Sequence, residues 1–436
     1  MPTPNEPTRR FIATHANDDV RQLALRGCAD KQVDLPFALD QIAGRQTALH
    51  KLPSWAATEG LFYPTHLSME QCSSEATARY KADHLAARLC GGGTLLDMTG
   101  GLGVDFAFMA KAVSGLSPDA GGQLDSSQQP AASDQLVYVE QREQLCDLAR
   151  HNLPLLGLSQ ATIVCGDGAS YLRQASRAFD LVYLDPARRD LHGARTYALG
   201  DCTPDVLSLL PLLQQKSAYV LLKLSPMLDW RKAVSDLGEA RVREVHIVSV
   251  GNECKELLVL LSATADDGFR LFCVNDDQVF EVHEANEPAT SISSDGDPSQ
   301  FLNLSFSPYL YEPNASVMKA GCYASVERAF GVSALSANSH LFLSPQRVEG
   351  FPGREFQVDA VTSLNKHSLK THLEGISRAN ITVRNFPLSV AELRRRLKLG
   401  EGGSTYLFAT TLASRQHVLL VCHKPTSSTF GSSEVL

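Results

Sequence analysis

The chain has ten cysteines but no CxxC pair, and no apolar run approaching the ~18 residues of a membrane span. Scattered cysteines without paired spacing argue against a disulfide framework and a zinc site, and fit reduced thiols in a cytosol. The start, MPTPNEPTRRFIATHANDD, lacks the apolar core of a secretory signal. No internal repeat is evident. An overall excess of positive charge is missing too: the formal charge of −8 does not describe a generic polyanion binder. These absences lead to the expectation of a cytoplasmic protein with no membrane part and no bound metal.

At 436 residues, 44% of them apolar, the chain is long enough for two to four domains with sizeable cores. Its charge is unevenly spread. Residues 266–300 carry nine acidic side chains and one basic, whereas residues 354–424 carry eleven basic and five acidic. The C-terminal segment is a basic module on an acidic protein.

Residues 9–85 read mostly helical, with apolar positions at helical spacing in Val20, Leu23, Leu25 and Phe37, Leu39, Ile42. From about residue 91 to 265, apolar strands alternate with helical patterns: TLLDM, LVYVE, ATIVCGD, FDLVYLDP and AYVLLKLSP, then VREVHIVSV and ELLVLLSA as a closing hairpin. This order predicts an α/β fold, a doubly wound, Rossmann-like and mostly parallel sheet. The Gly-, Ser- and Pro-rich stretches 115–134 and 289–300 read as loops. The segment 350–425 reads as a small α+β domain with helices near Asn365–Leu373 and in SVAELRRRLKL.

TLLDMTGGLGVD (94–105) is the most informative stretch. A strand ends in Asp97, a Gly-rich turn (Gly100, Gly101, Gly103) follows, and a helix begins. Such sheets bind nucleotide-like ligands at the carboxyl ends of their strands. The ligand is either a dinucleotide or S-adenosylmethionine (SAM). GGLGVDF lacks the final small residue of the dinucleotide fingerprint. Asp97 and Asp105 flank the turn, and they suit a cationic sulfonium with an amino group better than a pyrophosphate. Glu140, ending the second strand, is suited to ribose hydroxyls under either reading. Asp167, followed by Gly168, is placed for an adenine amine.

The order DMTGGLGVD, YVEQ, CGDG, LDPAR resembles the class I SAM-dependent methyltransferases. With EQCSSEATARYKA (70–82), YLDPARRD, YEPNASVMKAG (311–321) and VRNFPLSVAELRRRLKLGEGGSTYLFATTL (383–412), the chain is similar to a bacterial group of these enzymes carrying a C-terminal THUMP-like domain. The resemblance implies a helical region 1–85, a methyltransferase domain 86–265, a ferredoxin-like segment 266–345 and a THUMP-like domain 350–425. It implies SAM as cofactor, held by Asp97, Thr99, Gly100, Gly101, Gly103, Asp105, Glu140, Asp167 and Gly168. THUMP domains are associated with RNA-modifying enzymes, so the implied partner is a structured RNA such as rRNA or tRNA. A protein or small-molecule acceptor, or a non-catalytic SAM-binding assembly factor, are the alternatives.

The Asp185 carboxylate and the Pro186 carbonyl are suited to hold the hydrogens of an exocyclic amine, as in the D/N-P-P-Y/F signature. Here Ala187 replaces the second proline and Arg188 the aromatic that stacks on a flipped base. Arg188 is read as steering substrate. DPAR also resembles the DPPR of carbon-5 uracil methyltransferases, but KLSP (223–226) carries no cysteine. Cys202 would have to fold back to the site. Substrate contacts are expected from Lys81, Arg189, Arg384, Arg394, Arg395 and Lys398. The basic helix has a capping box, Ser389 with Glu392, but no interleaved aromatics, so backbone docking is expected rather than sequence reading.

Overall fold

The computed structural model describes residues 4–116, 135–188, 199–264, 268–282, 307–336 and 338–425. The loops read at 115–134 and 289–300 lie outside the described residues, apart from 115 and 116. The chain divides into two compact units: residues 1–250 with 255–269, and residues 251–254 with 270–436.

In the first unit the apolar strand runs form a sheet: β1 (Leu95–Asp97), β2 (Leu136–Glu140), β3 (Thr162–Cys165), β4 (Phe179–Leu184), β5 (Ser217–Leu224), β6 (Val242–Val250) and β7 (Glu253–Ser262). Their spatial order is β6-β7-β5-β4-β1-β2-β3. The pairs β1–β2, β1–β4, β2–β3 and β4–β5 are parallel, and β7 runs antiparallel to β5. The doubly wound sheet read from the sequence is therefore present, and β6 and β7 are neighbours as the hairpin reading requires. Strands with helices on both faces bury every residue of β1 and β2, which explains their unbroken apolar runs.

The order reverses at β1, which has β2 on one side and β4 on the other. That reversal opens a crevice beyond the strand ends, where Asp97, Glu140 and Asp185 stand. The helical N-terminal reading also holds. Helices Glu6–Thr14, Val20–Arg26 and Leu35–Lys51 are followed by Pro53–Ala57, His66–Gln71 and Glu75–Tyr80. Glu75–Tyr80 starts from a Ser74 cap and continues into a π-helical turn, Lys81–Ala86.

In the second unit Arg270–Asn275 and Gln278–Val282 form an antiparallel hairpin. A further sheet has the order Ser333–Ala334, Phe342–Ser344, Tyr309–Pro313, Gly353–Thr362, His417–His423, Thr405–Thr411, Asn380–Arg384. Tyr309–Pro313 pairs with Gly353–Thr362, so strands of the segments before and after residue 350 share one sheet. Helix Val390–Leu397 has the capping box expected at Ser389 and Glu392. Leu369 of helix Lys366–Leu373 and Leu393 of Val390–Leu397 join one apolar cluster with Ala409 and Leu419. Both helices thus cover the same sheet face. No helix among the described residues is long and apolar enough to cross a membrane.

Candidate active site

A cleft of about 590 Å³ opens at the strand reversal. Asp97, Thr99, the turn Gly100–Gly103, Asp105, Asp185, Pro186 and Lys223 are among its lining residues. Glycine is required in the turn for two physical reasons. A Cβ on Gly100 would lie 2.2 Å from the Tyr138 ring. Gly101 and Gly103 have φ of 57° and 84°, which side chains rarely adopt. The Tyr138 hydroxyl donates to the Gly101 carbonyl at 2.6 Å, and the Gly101 N–H donates to Glu140 Oε2 at 2.9 Å.

Asp97 is buried at the cleft floor. Its Oδ1 accepts from the Thr99 N–H at 2.9 Å, so it does cap the turn. Thr99 Oγ1 in turn accepts from the Asp185 N–H at 2.7 Å, tying β1's turn to the end of β4. Burial pushes the Asp97 carboxyl well above the usual carboxylate range; the Thr99 hydrogen bond opposes this, and the nearby Asp105, Asp185 and Glu140 add to it. A carboxyl made uncomfortable by burial and like charges is a receptor for a cation. SAM, with its sulfonium and amino group, fits that donor set and the glycine-lined wall.

Glu140 stands just outside this lining. Besides Gly101 it accepts from the Arg142 N–H at 3.0 Å and Nε at 2.9 Å. A carboxylate has about four lone-pair sites, so it keeps room for one more donor. Asp167 caps helix Gly168–Gln174 through Ser170 N–H at 2.8 Å and accepts from Gln141 Nε2 at 3.0 Å. The Ser170 hydrogen bonds hold its carboxyl below the usual range. Gly168 packs so tightly that a Cβ would sit 2.4 Å from the Met98 carbonyl oxygen.

Behind the cleft lies a chain of alternating charges. Lys81 has no exposed surface and is paired with Glu256 on β7 and, at 3.1 Å, with Asp105 Oδ1. Asp105 Oδ2 lies 3.7 Å from Lys223 Nζ, and Lys223 Nζ donates to Asp185 Oδ2 at 2.6 Å. Tyr183 donates to Asp105 Oδ2 at 2.7 Å. Ser73 Oγ lies 2.7 Å from Asp105 Oδ2 and 3.1 Å from Glu256 Oε1. Burial works against ionised Asp105, but Lys81, Lys223, Tyr183 and Ser73 outweigh it and hold its pKa at about 2. Burial also works against the Lys223 ammonium; Asp185, Asp105 and Glu256 outweigh it and raise its pKa above the ordinary lysine value.

One sequence reading is corrected here. Lys81, expected to meet substrate, has no exposed surface and is paired with Asp105 and Glu256. Asp105 lines the cleft, and its carboxylate is also bound into this network. Lys223 and Glu256 received no role from the sequence. The available signal was a charged residue in each of two largely apolar strands, Lys223 in YVLLKL and Glu256 beside Lys255 in KELLVLL, because a buried charge must be paired.

Asp185 keeps 39% of its side chain exposed to the cleft. Ala187 and Arg188 pair in register with Thr203 and Cys202, so Cys202 does fold back and joins the lining. Arg189 lies outside the described residues. In the second unit Arg384 is half-buried and bound to Glu312 at 2.9 Å. Arg394 closes the following loop, donating to the Gly400 carbonyl at 2.7 Å and Ala379 carbonyl at 3.1 Å, and is not a free phosphate contact. Arg395 and Lys398 are exposed. Among the described residues no group of three or more His, Cys, Asp or Glu is arranged to hold a metal ion.

Removing one partner of a buried ion pair strands the others, at about 3–5 kcal/mol. Lys81→Met is therefore expected to destabilise the first unit by about that amount in urea denaturation. Adding Glu256→Gln is expected to restore part of the loss, because one stranded carboxylate becomes neutral.

Residues 353–424 match a THUMP domain-like family model and residues 309–352 a ferredoxin-like domain model. No curated protein matches the chain in sequence. The crystal structure of a candidate methyltransferase from Porphyromonas gingivalis W83 is 31% identical, with a TM-score of 0.78 over 96% of this chain and 97% of that one. The structure of a candidate class I SAM-dependent methyltransferase from Listeria monocytogenes is 11% identical, with a TM-score of 0.36 over 60% of this chain and 89% of that one. A candidate rRNA-methylase from Clostridium thermocellum is 14% identical, with a TM-score of 0.29 over 42% of this chain and 95% of that one. With the near-complete match to the Porphyromonas protein and the THUMP-like C-terminus, the chain belongs to the class I SAM-dependent methyltransferases, in the bacterial group carrying a C-terminal THUMP-like domain.

Proposed function

We propose that this methyltransferase modifies a nucleotide of a structured RNA, such as rRNA or tRNA, in the cytoplasm. Residues 86–265 would form the catalytic domain behind the helical region 1–85, and residues 350–425 the docking domain after a ferredoxin-like segment 266–345. One observation carries the reading. The two helices packed on one face of the C-terminal sheet leave Lys366, Lys370, Arg395, Arg396 and Lys398 exposed. Exposed cations without stacking aromatics suit phosphates rather than bases. The THUMP-like match agrees with it.

SAM supplies an electrophilic methyl group on a sulfonium. The protein's work is to seat that cation and to aim the acceptor. In this reading Asp97 meets the positive end, Glu140 offers its remaining lone pair to the ribose, and Asp167 lies toward the adenine. Asp185 and Pro186 receive the acceptor at the end of β4, with Arg188 on the substrate side.

The Asp97 reading has a pH signature. In the free protein burial works against its ionised form, whereas a bound cation favours that form. SAM affinity is therefore expected to rise as pH rises through the free protein's Asp97 pKa, with release of a proton. Calorimetry in two buffers of different ionisation enthalpy measures that proton. Asp97→Asn is expected to bind more weakly and without the pH trend; an unchanged trend would remove Asp97 from this role.

RNA as substrate is tested by labelled methyl transfer into RNA and protein fractions from a strain lacking the gene. The expected result is label in one RNA size class. Label confined to protein would overturn the proposal.

RNA docking has its own measurement. The slope of log affinity against log salt is expected to be negative. Arg395→Glu with Lys398→Glu should flatten it by about 0.7–0.9 per lost phosphate contact. An unchanged slope would move the docking surface elsewhere.

A further inference from the structure

The sequence reading gave Asp185 to an exocyclic amine. An amine acceptor needs hydrogen-bond acceptors around it, and it gains positive charge as it takes the methyl group. The structure places a donor and a positive charge at that point. Lys223 Nζ lies 2.6 Å from Asp185 Oδ2, and both residues line the cleft. The chain Glu256–Lys81–Asp105–Lys223 fixes this ammonium from behind. Beside a nitrogen becoming cationic, a fixed ammonium raises the barrier. Beside an oxygen losing its proton, the same ammonium lowers it.

The carboxylate supplies the other half of the arrangement. Asp185 Oδ2 is held by Lys223, while Oδ1 has no hydrogen bond among the described residues and can take a proton. Lys223 has three N–H donors and one hydrogen bond among the described residues. A hydroxyl seated between them accepts from Lys223 and donates to Asp185. Asp185 is open to the cleft, so its free oxygen can reach a bound hydroxyl. The motif also has Ala187 and Arg188 where an amine-methylating site carries an aromatic to stack a flipped base.

We propose that the methyl acceptor is a hydroxyl oxygen and, resting on the RNA reading above, that it is a ribose 2′-hydroxyl, with Asp185 receiving the proton and Lys223 stabilising the developing oxyanion. The O–H bond breaks with its proton passing to Asp185. The oxygen electron pair forms the O–CH₃ bond, and the C–S bond breaks with its pair remaining on sulfur. Lys223 and Asp185 are the catalytic residues of this step. Lys81, Asp105 and Glu256 are positioning residues that act through Lys223.

The decisive measurement is the position of the transferred methyl. The wild-type protein is incubated with labelled SAM and RNA from a strain lacking the gene, and the RNA is digested to nucleosides. The expected result is label that stays with the ribose when the glycosidic bond is cleaved, together with an alkali-resistant linkage at the modified nucleotide. Label released with the base overturns the proposal while leaving the RNA reading intact. Label in protein or small molecules overturns the RNA reading, and with it the ribose assignment; the chemical linkage then decides the remainder, an O-methyl product supporting a hydroxyl acceptor and an N-, S- or C-methyl product refuting it.

Variants give a second readout. Lys223→Met is expected to lose about 10²–10³-fold in transfer with SAM affinity changed only a few-fold, and Lys223→Arg to recover part of the rate. Full activity in Lys223→Met would refute the role of the ammonium. Loss of folding in that variant would leave the product analysis of the wild type to decide.

Discussion

Charges removed from water must be paired, and this constraint organises the catalytic unit. Lys81 is sealed off from solvent and is paired with Glu256 and Asp105. Asp105 is held in turn by Tyr183, Ser73 and Lys223, and Lys223 reaches the cleft at Asp185. Each member fixes the next because none can relax without stranding a neighbour. Residues from the pre-sheet helix, the first sheet helix, β4, β5 and β7 are drawn to one point. An apolar core would hold these elements together equally well, but it would not present an oriented ammonium and carboxylate to a substrate.

The second constraint is the narrow space at the glycine turn. Tyr138 fills the volume that a side chain at Gly100 would need, and its hydroxyl fastens the Gly101 carbonyl. Thr99 then links the turn to Asp185 by a single hydroxyl. Cofactor wall and acceptor site are thereby two ends of one hydrogen-bonded frame. Asp97, on the floor between them, is the group that burial and neighbouring carboxylates leave most in need of a cation.

In the second unit the arginines divide by the same rule of pairing. Arg354 and Arg384 both satisfy the buried Glu312, and Arg394 satisfies the backbone carbonyls of Ala379 and Gly400. Those side chains build the domain. Arg395, Arg396 and Lys398, on the outward side of the same helix, stay exposed. A run of three arginines is thus not one feature: helical geometry turns Arg394 onto backbone carbonyls and leaves Arg395 and Arg396 exposed.

The strand pattern alone determined the α/β class, the strand and helix sequence of the catalytic unit and the glycine turn, because buried parallel strands demand apolar runs and a tight turn demands glycine. The capping box at Ser389 and Glu392 was equally legible, since its partners are three residues apart. What the sequence left open were interactions between residues far apart along the chain. Lys81 meets Glu256 across 175 positions, and Lys223 meets Asp185 across 38. Lys81 read as a substrate contact because a lysine in isolation belongs in water or on a ligand. Only the sheet, by placing β5 and β7 beside each other and the pre-sheet helix against them, brought opposite charges close enough to be buried together.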